Sequence, residues 1–135
     1  MELFTEDRKR YVDVGGSWIL HSVYSTAQVR LGGMKRKIPL AMDFLQTGKC
    51  EPNNAIETAR QINLLRDEFS KIKPEKAVYD CDNPKVKAPW DGNLSYVTTS
   101  CANLYTTADG KDLLFELVSI LTYADIMKKA VDMSE

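Results

Sequence analysis

The sequence predicts an α+β fold, with a small antiparallel β-sheet that starts with an N-terminal hairpin and is packed by about three α-helices. Three observations carry this expectation. Residues 17–38 combine β-branched and aromatic side chains with paired-glycine turns. Residues 56–72 and 113–127 place apolar side chains at three- and four-residue steps. The 135 residues, 44% hydrophobic and 27% charged, have the length and balance of one globular domain spanning 1–135.

Residues 1–13 read as a polar lead-in, with Arg8-Lys9-Arg10 as a solvated basic step. Gly15-Gly16 signals a turn. From Ser17 to Leu31 a strand is expected, with Trp18, Leu20, Ser22 and Tyr24 on one face and Ile19, His21, Val23 and Ser25 on the other. Gly32-Gly33 turns the chain, and Met34–Ile38 returns as the second strand of the hairpin. Pro39 opens a short helix to Gln46, and Gly48 stops it.

The strongest helical periodicity is Ile56, Ala59, Ile62, Leu65, Phe69 and Ile72. Asn54 with Glu57 resembles a capping box, and Pro74 closes the helix. Ala77–Tyr79 is a short β candidate, 80–91 a long ordered loop around Trp90, and Val97–Thr106 one or two short strands. Asp109 is the expected N-cap of the last helix, and Asp112 suits its dipole. Leu113, Leu117, Ile120, Leu121, Ala124 and Met127 form its apolar stripe, with Lys128 and Lys129 near its end.

Several function classes are disfavoured. Eighteen basic against nineteen acidic residues leave a net charge of −1, so no global positive field draws in nucleic acid. The N-terminus has no apolar signal region and no apolar run reaches membrane-spanning length, so a cytoplasmic protein is expected, with no membrane partner. Cys50, Cys81 and Cys101 are odd in number and widely spaced, which is no disulfide framework. With one histidine, His21, and no Cys-x-x-Cys, no metal site and no cofactor are expected.

Catalysis would have to be built on His21 as general base, with Ser22 and Ser25 beside it and no Gly-x-Ser-x-Gly elbow. Asp80-x-Asp82-Asn83 fails the calcium-loop spacing at Lys85 and Asp91 and reads as a turn rich in Asx side chains. Neither glycine pair belongs to a phosphate loop. Arg30, Lys35, Arg36 and Lys37 would serve a nucleic-acid module, but such a run more often protects a sheet edge. Trp18 is expected to anchor the core, while Trp90 is divided evenly between core and exposed hot spot.

Charge is unevenly distributed, at net +3 over residues 1–38 and −4 over 39–135. If folding gathers Asp80, Asp82, Asp91, Asp109, Asp112 and Glu116, they form an acidic patch suited to a basic partner.

Gly15-Gly16-Ser17-Trp18, then Ala88–Asn93 with Thr98-Thr99, then Tyr105–Leu113 follow one another in an order that resembles a family of immunity proteins from bacterial polymorphic-toxin systems. Contact-dependent growth inhibition loci are among these systems. The resemblance covers about 15–125 and departs at Asp91, where the Pro-Trp step is associated with glycine. It implies an α+β protein without enzymatic activity that binds the C-terminal toxin domain of a large secreted partner. Such toxins are often nucleases acting on tRNA or other nucleic acid. Gly15, Gly16, Trp18, Pro89, Gly110 and Asp112 have structural explanations and are not carried over as contacts. The expected toxin-binding residues are Asp80, Asp82, Trp90, Asp91, Asp109 and Glu116. The competing expectations are a small enzyme using His21 and, behind it, the nucleic-acid module.

Overall fold

A computed structural model describes all residues 1–135. Its three-stranded antiparallel sheet has β1 (Glu2–Thr5) in the centre, flanked by β2 (Tyr11–Asp13) and by β3 (Val131–Ser134). Four α-helices pack with it: α1 (Trp18–Arg30), α2 (Pro39–Thr47), α3 (Ala55–Phe69) and α4 (Leu113–Met127). The α+β class and the N-terminal hairpin are as expected, but the hairpin lies elsewhere. Residues 1–13, expected as a lead-in, form it as β1 and β2, with Leu3 opposite Val12. The C-terminal segment closes the other edge, Leu3 opposite Met133. Leu3 and Thr5 point inward and are fully buried.

The expected strands at 17–31 and 34–38 are instead α1 and a 3-10 turn, Gly32–Lys37. Leu20, Val23, Ala27 and Leu31 are buried at three- and four-residue steps, which is a helical stripe. Ser22, Ser25 and Thr26 are also fully buried and widen that stripe with polar groups, so the apolar periodicity is blurred in the sequence. Their burial is tolerable because each hydroxyl is hydrogen-bonded to the chain packed on α1.

The other helices follow their sequence signals closely. In α3, Ala59, Ile62, Leu65 and Phe69 are buried, but Ile56 is exposed. The Asn54 side chain makes no capping bond. In α4 the buried set is Leu113, Leu114, Leu117, Ile120, Leu121 and Ala124, and Met127 is exposed. Asp112 rather than Asp109 is the N-cap, accepting from the Phe115 backbone N–H at 3.2 Å. The first turn of α2 is satisfied from a distance: the buried Gln61 side-chain oxygen on α3 accepts from the N–H groups of Leu40 at 2.8 Å and Ala41 at 3.1 Å. Residues 77–79 form no strand, and of 97–106 only Thr106 pairs, in an isolated bridge to Asp112.

Gly48 ends α2 in the left-handed region at φ +69°, and a Cβ there would stand 2.9 Å from Met133 on β3. Gly48→Ala therefore meets a backbone penalty and a steric one together. It is expected to cost about 1–3 kcal/mol, read as a lower urea midpoint at unchanged slope.

Candidate functional site

The site begins with the hydroxyl face of α1. Ser22 Oγ donates to the Val78 carbonyl at 2.9 Å, and the Val78 N–H donates to Thr26 Oγ1 at 2.8 Å. The Cys81 N–H donates to Ser25 Oγ at 3.0 Å. Three side chains of one helix thus fasten the backbone of 78–81, a segment with no secondary structure of its own. The Tyr105 hydroxyl completes the seam, 3.0 Å from Ser22 Oγ and 2.9 Å from Thr26 Oγ1. Burial pushes its phenol up to about 12.

An aromatic cluster holds the loop beyond. Trp90 lies 6.0 Å from Trp18, 6.2 Å from Tyr79 edge-on and 6.0 Å from Tyr105 edge-on, measured between ring centroids. Trp18, expected in the core, is 37% exposed and covers the outside of this cluster. Trp90 is half-buried against the core. The three stretches that carry the family resemblance therefore meet through Trp18, Trp90 and Tyr105.

Between the end of α1 and this loop runs a groove of about 610 Å³. Asp80, Trp90 and Asp91 line it, and so do Arg30, Lys85 and Lys87, so its charge is mixed rather than uniformly acidic. Asp82 is exposed next to Asp80. Asp80 Oδ1 accepts from His21 Nε2 at 2.9 Å and from the Asp82 N–H at 2.9 Å. The His21 bond, then the Asp82 N–H, hold the Asp80 carboxyl below its ordinary value.

Asp109 and Glu116 line a different depression, shared with Lys9, Arg10 and Lys111. Asp109 accepts from Thr107 Oγ1, and this bond, with Lys111 3.5 Å away, lowers its pKa. The six expected contact residues thus fall into two groups: Asp80, Asp82, Trp90 and Asp91 along the anchored loop, and Asp109 with Glu116 at the start of α4.

His21 sits in the first turns of α1, not on a strand. Asp82 Oδ2 is 3.5 Å from its Nε2, and the Cys81 thiol completes a group whose donor atoms all lie within 4.8 Å. Sequence spacing gave no hint of this, because His21 and Asp80 are 59 residues apart. Ser22 and Ser25, the hydroxyls considered beside His21, are buried in the seam and committed to it. The basic run also lies elsewhere than expected: Arg30 Nε donates to the Lys76 carbonyl, Lys35 Nζ to that of Gln28.

A family model described as Immunity protein 70 matches residues 4–133. The chain belongs to the Immunity protein 70 family. No curated protein and no solved structure matches it. Membership makes immunity against a toxin the function of the chain and a toxin its partner. Immunity proteins are generally non-enzymatic. No helix is long and apolar enough to cross a membrane.

Proposed function

We propose that this Immunity protein 70 member neutralises the C-terminal toxin domain of a large secreted polypeptide by direct, stoichiometric binding in the cytoplasm. The system is a contact-dependent inhibition or related polymorphic-toxin system, and the toxin is a nuclease such as a tRNase. The proposed interface is Asp80, Asp82, Trp90 and Asp91, with Asp109 and Glu116 as a second contact.

The observation that carries this reading is the way α1 holds the loop. Ser22, Ser25 and Thr26 fix the backbone that presents Asp80 and Asp82. A loop ordered in the free protein loses little conformational entropy on binding, which favours tight association. Exposed carboxylates on such a loop suit a toxin surface built to hold phosphates, and they steer encounter with it. Tyr96 and Val97, exposed further along the same loop, add apolar area of the kind that anchors interfaces.

The test is a calorimetric titration with a catalytically disabled C-terminal domain from the secreted polypeptide encoded immediately upstream. One-to-one binding with nanomolar affinity is expected. A folded toxin domain that gives no saturable binding overturns the proposal.

A further inference from the structure

We propose that His21, Cys81 and Asp82, with Asp80 beside them, form a binding site for a divalent transition-metal ion of the zinc class. The proposal rests on the donor set and on how it is held. His21 comes from α1, and the other three come from the loop that α1 fastens. One imidazole nitrogen, one thiol sulfur and a carboxylate oxygen lie within 4.8 Å of one another. Zinc bond lengths of about 2.0–2.3 Å imply tetrahedral edges of roughly 3.3–3.8 Å. The 3.5 Å from His21 Nε2 to Asp82 Oδ2 already has that length. Cys81 Sγ lies 4.0 Å from the other Asp82 oxygen, Oδ1, and within 4.8 Å of the other ligand atoms of the group, so the thiol must close in by side-chain rotation to reach a tetrahedral edge.

Solvent completes the fourth position, and Asp80 stands beside the three ligands as the hydrogen-bond partner of His21. Asp80 Oδ1 is 2.9 Å from His21 Nε2, and it is steadied by the Asp82 N–H. An ion entering there would take the Nε2 lone pair of the His21 tautomer that carries its proton on Nδ1, so the His21–Asp80 hydrogen bond gives way to a bond from His21 to the metal. Cys81 would bind as thiolate, releasing its proton to solvent. The mixture of sulfur, nitrogen and oxygen selects zinc or cobalt over magnesium and calcium, which require oxygen ligands.

Two features make the site usable. Its backbone is set before any metal arrives, through Ser25 Oγ to the Cys81 N–H and Thr26 Oγ1 to the Val78 N–H. It is also open to solvent, since the side chains of His21, Asp80 and Asp82 are 38%, 30% and 81% exposed. The other two thiols, Cys50 and Cys101, are buried in the core and provide an internal control.

The experiment titrates the full chain, stripped with EDTA, first with cobalt(II) and then with zinc(II). Expected are one equivalent of cobalt per chain, a near-ultraviolet thiolate-to-cobalt band, and loss of that band as zinc displaces cobalt. Cys81→Ser should abolish the band, and His21→Ala and Asp82→Asn should each weaken binding at least tenfold, with circular dichroism unchanged. Bound zinc should protect one thiol, Cys81, from iodoacetamide. Absence of saturable cobalt binding to the unmutated chain overturns the proposal irrespective of how any variant folds. So does a thiolate band that survives in Cys81→Ser, because it would place the ion on another cysteine.

Discussion

The double variant Asp80→Lys with Asp82→Lys is expected to bind the toxin domain about 100-fold more weakly, roughly 2.8 kcal/mol. Both carboxylates project from a backbone that α1 already holds, so the toxin meets them as fixed charges. Reversing both replaces attraction by repulsion at the same two positions, and charge pairs at close quarters couple by about 1.5–7 kcal/mol. The association rate should fall more at low salt than at high salt, because steering is screened. Folding should survive. Asp82 is exposed, and Asp80→Lys removes two hydrogen bonds at the surface while the Ser25, Thr26 and Tyr105 bonds remain. Calorimetry and thermal unfolding measure the two quantities separately. Unchanged affinity in a folded double variant removes this loop from the interface. Cys81→Ser separates direct recognition from the proposed metal site. It keeps both carboxylates, so in the presence of EDTA it should bind the toxin domain as the unmutated chain does.

The parts of the fold that were legible in the sequence are those settled by local rules. Pro39 and Gly48 bound α2 because each acts through its own backbone. The stripes of α3 and α4 are mostly apolar, so periodicity alone finds them. α1 was concealed by its partners. Its buried Ser22, Ser25 and Thr26 are accounted for only once residues 78–81 lie against them, and its Trp, Ile, Val and Tyr content imitates a strand. The sheet is equally non-local. β3 pairs the last residues of the chain with the first, and the turn that joins β1 to β2, Glu6–Arg10, holds no glycine or proline to signal the hairpin.

The candidate site shows the same division. Asp80, Asp82, Trp90 and Asp91 share one loop and could be grouped by proximity in the sequence. His21 could not, because α1 carries it to Asp80 only in the folded chain. Asp109 and Glu116 were grouped with the loop by charge alone. Folding places them instead beside Lys9, Arg10 and Lys111, where Asp109 shapes the turn from Thr107 to Lys111. The three stretches that carry the family resemblance, far apart in the sequence, are joined by packing. Trp18, Trp90 and Tyr105 form one aromatic unit drawn from all three.

That unit makes Trp90→Ala the substitution with the largest expected effect on the loop. The indole is half-buried and faces three other rings, and each such aromatic pair is worth about 0.5–1.5 kcal/mol beyond the area it buries. Full burial would put a Trp→Ala loss at about 3–5 kcal/mol, and the partial exposure of this indole lowers the expectation to about 2–4 kcal/mol. The loss should fall unevenly. The core formed by α3, α4 and the sheet contains the fully buried Phe69, Leu117 and Leu3, and it meets only the partly buried side of Trp90. The loop from Asp82 to Val97 depends on Trp90, because every residue there is exposed or only partly buried. Limited proteolysis should therefore cut first between 82 and 97 in Trp90→Ala, before global unfolding, whereas the unmutated chain resists. Trp90→Phe should restore most of the resistance, since a smaller ring can still meet Tyr79 and Tyr105. If the loop contributes to the interface, Trp90→Ala should also bind toxin more weakly through the entropy of reordering it, and Trp90→Phe much less so. Cleavage spread evenly over the chain would instead mean that the cluster supports the whole core.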